Sequence, residues 1–525
     1  MALTRAALRR INVGLGLSIA LSWLVSFAYF VRLNRVGRPA DDFARRHLGL
    51  GPVPGGRRGV HVVLSTDCSP YQNWQSIASF YSLRRAGHNG QVTRVVSGCP
   101  SRDRKSEITY DTRYMSEGRG GGFSVHFTPP YTMGNKYKYA NKPGGVYHWM
   151  NETVNLGDDE VVALVDPDML ALRPILTSDL ASGRPERIDA DGYRSLSVYR
   201  DGGGREVLLR GRGLPDPAPV SRGFGAGQHF GLGALWADGG TDRAKPAFAD
   251  FDVGRVCGAD SPCARASPEH VRAHHSVGPV YIATVADWRE LLPRWHTYTP
   301  RVHAQYPKLL AEMTAFVMAA ADMRLDFSLS SSYMVSDART TSPTEAWYWI
   351  DRYDGAAGRT VTSVCDGATR DTLPAETLRR LAVYGDGRYP AVNGGGGTAD
   401  GGGTSGLPNF LHYCQRYSFA NHTFGECRRL RVSFLAHRPN SILCADTHNR
   451  KPSAKRKFDT DFFDCDYGKP LEFDVEAITA ELRRLGEDRK ISDTERKARV
   501  REAFMICHTI PLLNMALEDY KADVC

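Results

Sequence analysis

Two carboxylates interrupt the end of an apolar run. "VVALVDPDML", from Val161 to Leu170, reads as a buried strand closing on Asp166 and Asp168, with Pro167 between them. Residues i and i+2 of a strand share a face. The spacing therefore aims both acids at the strand's carboxyl end, where open α/β sheets bind ligands. Two carboxylates in one place repel each other and resist burial. A cation resolves that conflict, and hard oxygen ligands suit Mg²⁺ or Mn²⁺, which stay partly open to substrate phosphates. The chemistry indicated is a divalent ion bridging protein carboxylates to a diphosphate, stabilising charge on a departing group. An acidic turn is the rival reading, since Asp-Pro-Asp is a good turn sequence. The apolar strand before it favours the metal.

Other residues offer the groups such a site needs. Lys142 and Asn141 stand just ahead of Pro143, which opens a helix. The lysine presents a point charge to a phosphate, the asparagine can donate to a sugar hydroxyl, and a helix start binds anions. Ser65, Thr66 and Asp67 end the first strand, where a nucleoside would dock. Asp67 either bonds the base or ribose or caps the next helix. Arg94 is placed to brace the nucleotide side, while Trp74 and Gln75 read as packing.

The elements that must position these groups follow from pattern. "VHVVLS" (60–65) is a compact strand. Ser69 then N-caps a helix with Pro70 at its first position, and Gly87 ends it. "QVTRVVS" (91–97) is the next strand, so a strand–helix–strand unit predicts a parallel sheet with a right-handed crossover. Further strands are expected at 123–128 and before Asp166, and helices at "PGGVYHWMNETV", from Asp287, and in "YPKLLAEMTAFVMAAADM". Residues 186–222 and the Gly-rich 393–406 read as inserted loops, and 470–525 as a helical C-terminal extension. A capping box at Ser492 and Glu495 starts the last helix, which Pro511 should kink or divide.

The 525 residues carry a formal charge of +9 with no concentrated basic stripe, which argues against nucleic acid as a partner. Arg5, Arg9 and Arg10 precede an uncharged run at 11–31, long enough to span a bilayer. It reads as an uncleaved signal anchor after a cytosolic tail (1–10), followed by a stem (32–58) and a lumenal domain (59–525). Arginines flank both ends, so charge does not set the orientation. Eleven cysteines and the sequons at Asn151 and Asn421 point to an oxidising lumen, hence a type II membrane protein of the Golgi or ER. No CxxC pair occurs, which argues against zinc. The odd cysteine count leaves at least one thiol over or paired between chains, and Cys257 with Cys263 is a plausible local disulfide.

The chain resembles the peptidyl serine α-galactosyltransferase and hydroxyproline O-arabinosyltransferase family. "HVVLSTDCSPYQNWQ" (61–75), "TRVVSGC" (93–99), "NKPGGVYHWM" (141–150), "LVDPDMLALRPI" (164–175), "AEMTAFVMAAA" (311–321) and "LHYCQRYSFANHTF" (411–424) carry the resemblance. It implies a GT-A-type fold, a Rossmann-like mixed sheet with helices on both faces. It also implies a metal-dependent, retaining transferase that uses a UDP-sugar, with UDP-galactose as donor and serines of hydroxyproline-rich polypeptides as acceptors. Asp166 and Asp168 match the metal motif, His412 matches a histidine able to complete the metal shell, and Glu312 is matched to face the sugar or acceptor hydroxyl. Residues 188–221 and the Gly-rich stretch before His412 have no counterpart. A hydroxyproline arabinosyltransferase and a non-catalytic lumenal glycoprotein-binding protein are the alternatives. A nucleotidyl or phosphoryl transferase would also use paired acids, but "STDCSPYQNW" is not a Gly-rich phosphate loop.

Overall fold

The computed structural model describes residues 59–117, 122–134, 137–152, 156–175, 218–237, 248–351 (save 332, 343 and 346), 365, 408–425 and 462–525 (save 467), with short strands between 177 and 207. The expected tail, membrane anchor and stem (1–58) and the loop at 393–406 lie outside these residues. No described helix is long and apolar enough to cross a membrane.

The chain order is β1 (His61–Asp67), α1 (Pro70–Arg85), β2 (Val92–Ser97), α2 (Arg102–Glu117), β3 (Phe123–Thr128), α3 (Asn141–Glu152), β4 (Val161–Val165), β5 (Met169–Ala171), β6 (Phe224–His229), β7 (Val277–Thr284), α4 (Val285–Gln305), α5 (Ala311–Asp322), β8 (Asp326–Ser330), β9 (Met334–Val335), β10 (Phe410–His412), β11 (Arg416–Phe419), β12 (His422–Gly425), α6 (Val475–Glu487) and α7 (Asp493–Val524). Seven strands form the main sheet in the order β8-β6-β7-β4-β1-β2-β3. Neighbours are parallel except around β7, which runs antiparallel to both β6 and β4. The sheet is therefore mixed.

Side-chain alternation divides the core between the two faces. Val62 and Leu64 of β1, Val161, Ala163 and Val165 of β4, and Val280 and Ile282 of β7 join one buried cluster with α1 and α7. Val63, Val162, Leu164, Tyr281 and Ala283 face a second cluster with α3, α4 and α5. Every β4 side chain is buried, as expected of a central strand covered on both faces.

Local signals behave as the sequence implies at several ends. Ser69 accepts from Gln72 N with Pro70 beside it, and Gly87 follows α1 at φ 83°. Ser492 accepts from Glu495 N at 3.2 Å. Pro511, however, does not divide α7, which continues to Val524. Its neighbours from Ala503 to Leu513 are buried, and tertiary packing supplies most helical stability in proteins. Cys257 bonds Cys263 as expected, alongside Cys68–Cys99, Cys365–Cys507 and Cys465–Cys525. Cys414 is the free thiol among the described residues. Of the 186–222 insertion, the described parts are short strand pieces at 186–188, 194–196, 199–200, 206–207 and 218–219 and residues 220–222.

Candidate functional site

Strand β4 stops at Val165, one residue before the first acid. Asp166 and Asp168 therefore do not alternate along a strand, as their spacing suggested. They occupy the turn between β4 and β5, with Pro167 at its centre. The acidic turn and the candidate cation site are thus one structure: the turn sequence is what brings the acids together. Both still lie at the carboxyl end of β4.

The third member arrives by strand pairing. Strand β10 runs antiparallel to β5, with His412 opposite Met169 and Leu411 opposite Leu170. Tyr413 N donates to Asp168 O at 3.2 Å and secures the register. His412 Nε2 lies 3.4 Å from Asp168 Oδ1. One ligand atom each from Asp166, Asp168 and His412 falls within 4.8 Å of the others. All three side chains are part-exposed. Two carboxylates and one imidazole, open on one side, fit Mn²⁺ better than a soft-ligand metal. Burial opposes charge on both Asp168 and His412, but their mutual attraction prevails. It holds the Asp168 carboxyl below its usual range, and with Cys414 it lifts His412 well above. The imidazole must shed that proton to ligate.

Lys142 completes the electrostatics. Its Nζ donates to Asp166 Oδ1 at 2.8 Å and lies 3.1 Å from Glu312 Oε1. Burial disfavours the ammonium, yet the two carboxylates outweigh burial and keep it well above the ordinary lysine range. Glu312 sits in the first turn of α5, almost fully buried, and its Oε2 has no hydrogen-bond partner among the described residues. Burial lifts its carboxyl, with Lys142 opposing and Asp166 adding to the rise.

Two glycines let α3 bring Lys142 this close. A Cβ on Gly145 would stand 2.5 Å from Ser97 Oγ and 3.2 Å from Val95 Cγ1, and one on Gly144 would enter the Tyr131 ring. "NKPGG" is therefore a packing device as well as a charge carrier. Asn141 turns its Oδ1 to Tyr131 N at 2.7 Å, tying the loop after β3 to the helix start.

The first-strand candidates are engaged in the β1–α1 turn. Strand β1 runs on through Thr66 and Asp67. Asp67 Oδ1 accepts from Ser69 N at 2.9 Å and from the Ser69 hydroxyl. Arg94 is buried and donates to Thr66 Oγ1 at 3.0 Å, to Asn73 Oδ1, and to Asp67 O at 3.4 Å. Thr66 Oγ1 in turn donates to Val95 O at 3.1 Å, and Ser65 is buried. These contacts hold the strand end rigid without joining the Asp166 cluster. Trp74 packs as read, stacked on Tyr413 with centroids 6.0 Å apart.

Three aromatic residues escaped the sequence reading. Tyr137 Oη accepts from Glu312 N at 3.0 Å and donates to Leu309 O at 2.8 Å. Trp295 Nε1 donates to Glu312 O at 2.7 Å. Tyr281, opposite Leu164 on β7, is buried with its hydroxyl unpartnered among the described residues. Burial, then Glu312, raises the Tyr281 phenol well above its normal range. "NKYKYANKPGG" held a cue for Tyr137 in its nearness to Lys142; nothing local marks the other two.

No family model matches the chain. Two curated relatives are peptidyl serine alpha-galactosyltransferases. That of Arabidopsis thaliana is 32% identical over 132 residues, 24% of this chain and 15% of the relative. That of Chlamydomonas reinhardtii is 29% identical over 173 residues, 32% of this chain and 21% of the relative. The matched part thus spans about a fifth or less of the relatives' length. Both carry the name of the family that the sequence resembles. Among solved structures, the bifunctional glycosyltransferase WbbM covers 55% of this chain and 41% of its own at 11% identity and a TM-score of 0.29. The galactosyltransferase LgtC, in complex with donor and acceptor sugar analogues, covers 54% and 79% at 10% identity and a TM-score of 0.30.

Proposed function

We propose that this chain is a metal-dependent glycosyltransferase of GT-A type that moves galactose from UDP-galactose to serine hydroxyls of hydroxyproline-rich polypeptides. The observation that carries the reading is the convergence of Asp166, Asp168 and His412 on one point beside the Lys142 ammonium. The names of the two curated relatives support the donor sugar and the acceptor residue. The type II membrane placement in the Golgi or ER belongs to the same reading and rests on the segment at 11–31, the cysteines and the two sequons. Both sequon asparagines are exposed.

Asp166, Asp168 and His412 would hold Mn²⁺ or Mg²⁺, which supplies Lewis-acid stabilisation to a departing diphosphate. Lys142 adds a fixed positive charge on the same side. Its pairing with Asp166 and Glu312 holds the ammonium in place and costs no reorganisation during reaction. Glu312, fixed through its backbone by Tyr137 and Trp295, turns its unpartnered Oε2 to hold the sugar or the incoming hydroxyl. The bond between the anomeric carbon and the UDP β-phosphate oxygen breaks. The serine Oγ bonds to that carbon and releases its proton, and UDP leaves with the electron pair. UDP-galactose is an α-linked donor, so an α-linked product means retention of configuration.

The test incubates the purified full-length chain with Mn²⁺, a panel of UDP-sugars and a serine-containing hydroxyproline-rich peptide. Galactose on serine, lost in Asp166→Ala/Asp168→Ala, is the expected result. Arabinose on hydroxyproline would replace the donor and acceptor. Turnover surviving in the double variant would remove the metal assignment, and binding of no sugar nucleotide would favour a glycoprotein-binding role.

A further inference from the structure

A second cluster of ligand-type side chains lies apart from the Asp166 turn. The segment "SPEHVRAHHSV", Ser267 to Val277, forms a short helix, Pro268–His274, with Ser267 capping its start. His270 and His274 are one turn apart and share a face, and His275 follows at the helix end. Their counterpart is Asp326, the first residue of the edge strand β8. Strand β8 is parallel to β6 and three places from β4 in the sheet. Asp326 thus opens its strand, whereas Asp166 follows the end of β4, and the clusters share no residue.

His270, His274 and Asp326 converge, and His275 reaches the same carboxylate oxygen. His270 Nε2 lies 3.0 Å from Asp326 Oδ1 and His275 Nε2 lies 3.6 Å from the same oxygen. One ligand atom each from His270, His274 and Asp326 falls within 4.8 Å of the others. In a tetrahedral zinc site, with bonds of about 2.0–2.2 Å, ligand atoms stand roughly 3.3–3.5 Å apart.

Burial sharpens the case. His275 and Asp326 are 0% exposed. Both His275 ring nitrogens and Asp326 Oδ2 are without hydrogen-bond partners among the described residues. Leaving such groups unpaired in the interior opposes folding. No described lysine or arginine pairs with Asp326, so the carboxylate has only imidazoles as partners. His270, with 10% of its side chain exposed, leaves an ion a way in.

We propose that His270, His274, His275 and Asp326 form a structural zinc site that fastens the 268–275 segment to the edge of the main sheet. Three imidazoles and one carboxylate suit Zn²⁺ in a closed tetrahedral shell far better than Mg²⁺ or Mn²⁺. The site stands independently of the transferase reading, and its failure would leave that reading intact.

The full-length chain, purified without chelator, should carry one zinc ion by mass-spectrometric metal analysis. After exchange, Co²⁺ should give the intense visible bands of a tetrahedral site. A strong chelator should lower the melting temperature of the wild type, and added Zn²⁺ should restore it. These wild-type measurements hold even where a variant fails to fold. Asp326→Asn and His275→Gln should bind Zn²⁺ at least about tenfold more weakly, and Asp166→Asn/Asp168→Asn should keep it. Wild type that takes up less than one zinc ion when Zn²⁺ is supplied, with a chelator-insensitive melt, would overturn the proposal. The cluster would then be a hydrogen-bonded network of imidazoles around Asp326 that holds no ion. Unchanged zinc affinity in both folded variants would overturn it equally.

Discussion

The two ligand clusters are built in opposite ways. At the Asp166 turn the donors are mainly oxygens, part-exposed, and a lysine already shares them. At Asp326 the donors are mainly nitrogens, two of the four residues are fully buried, and no described basic side chain other than histidine competes. An open oxygen site holds a hard ion loosely enough for a substrate phosphate to share it. A closed nitrogen site holds its ion as part of the fold. Chelation should therefore separate them: the transferase reading ties the first region to turnover, and the zinc proposal ties the second to the melting temperature.

The largest expected effect lies at the open site. Asp168→Asn keeps the shape of the turn and removes one hard ligand. Lewis-acid stabilisation is worth several kcal/mol, so kcat should fall by about 10³-fold, with the melting temperature falling only by what the lost Asp168–His412 attraction contributes. Steady-state kinetics beside calorimetry would check both halves. Asp326→Asn should do the reverse, lowering the melting temperature while kcat per folded molecule stays near wild type. Equal loss of activity in both would collapse the distinction between the regions.

Lys142→Met comes next and blurs the contrast in an informative way. It strands Asp166 and the buried Glu312 without their shared cation. Breaking a buried pair by removing one partner costs about 3–5 kcal/mol, which denaturant unfolding would measure. Lys142→Met/Glu312→Gln should recover part of that stability and none of the lost activity. Recovered activity would mean that the lysine only neutralises Glu312.

The contrast also shows what a sequence can reveal. Asp166 and Asp168 were legible because an apolar strand and a two-residue spacing occur side by side. The error was to extend the strand through them, since Pro167 and the turn do the converging. His412 is 244 positions from Asp168 and reaches it only through β5–β10 pairing, a contact that only the resemblance supplied. Helix α2 went unread because Ile108 and Met115 are the hydrophobic residues that it buries, too few to set a period. Strands β6, β7 and β8 were missed as well. The His270–His274 spacing is visible in "EHVRAHHS", but two histidines without their distant carboxylate do not mark a zinc site as a CxxC pair does. Asp326 gave no local sign.

Gly145→Ala should act on the open region from a distance. The new Cβ meets Ser97 Oγ and Val95 Cγ1, so either those side chains give way or α3 shifts and carries Lys142 with it. Overpacking of this kind costs about 1–3 kcal/mol. A fall in kcat larger than the loss of stability explains would show that the position of Lys142 matters beyond its charge. A wild-type kcat would show that the helix absorbs the methyl group without moving the lysine.

The smallest effect is a pH dependence at Glu312, in the open region. Burial raises the Glu312 carboxyl above its ordinary 4.5. Between 4.5 and the raised value the folded chain therefore binds more protons at this position than the unfolded chain does, and stability falls as pH rises through that window. Glu312→Gln cannot ionise, so its melting temperature should stay flatter there. The difference between wild type and variant should move against the wild type as pH climbs. Asp326→Asn, far from Lys142, should follow the wild-type slope from this group. If the wild type instead gains on Glu312→Gln with rising pH, attraction to Lys142 outweighs the burial of the carboxylate. Glu312 would then be a committed anion, fixed to the lysine and unable to take up a proton during transfer.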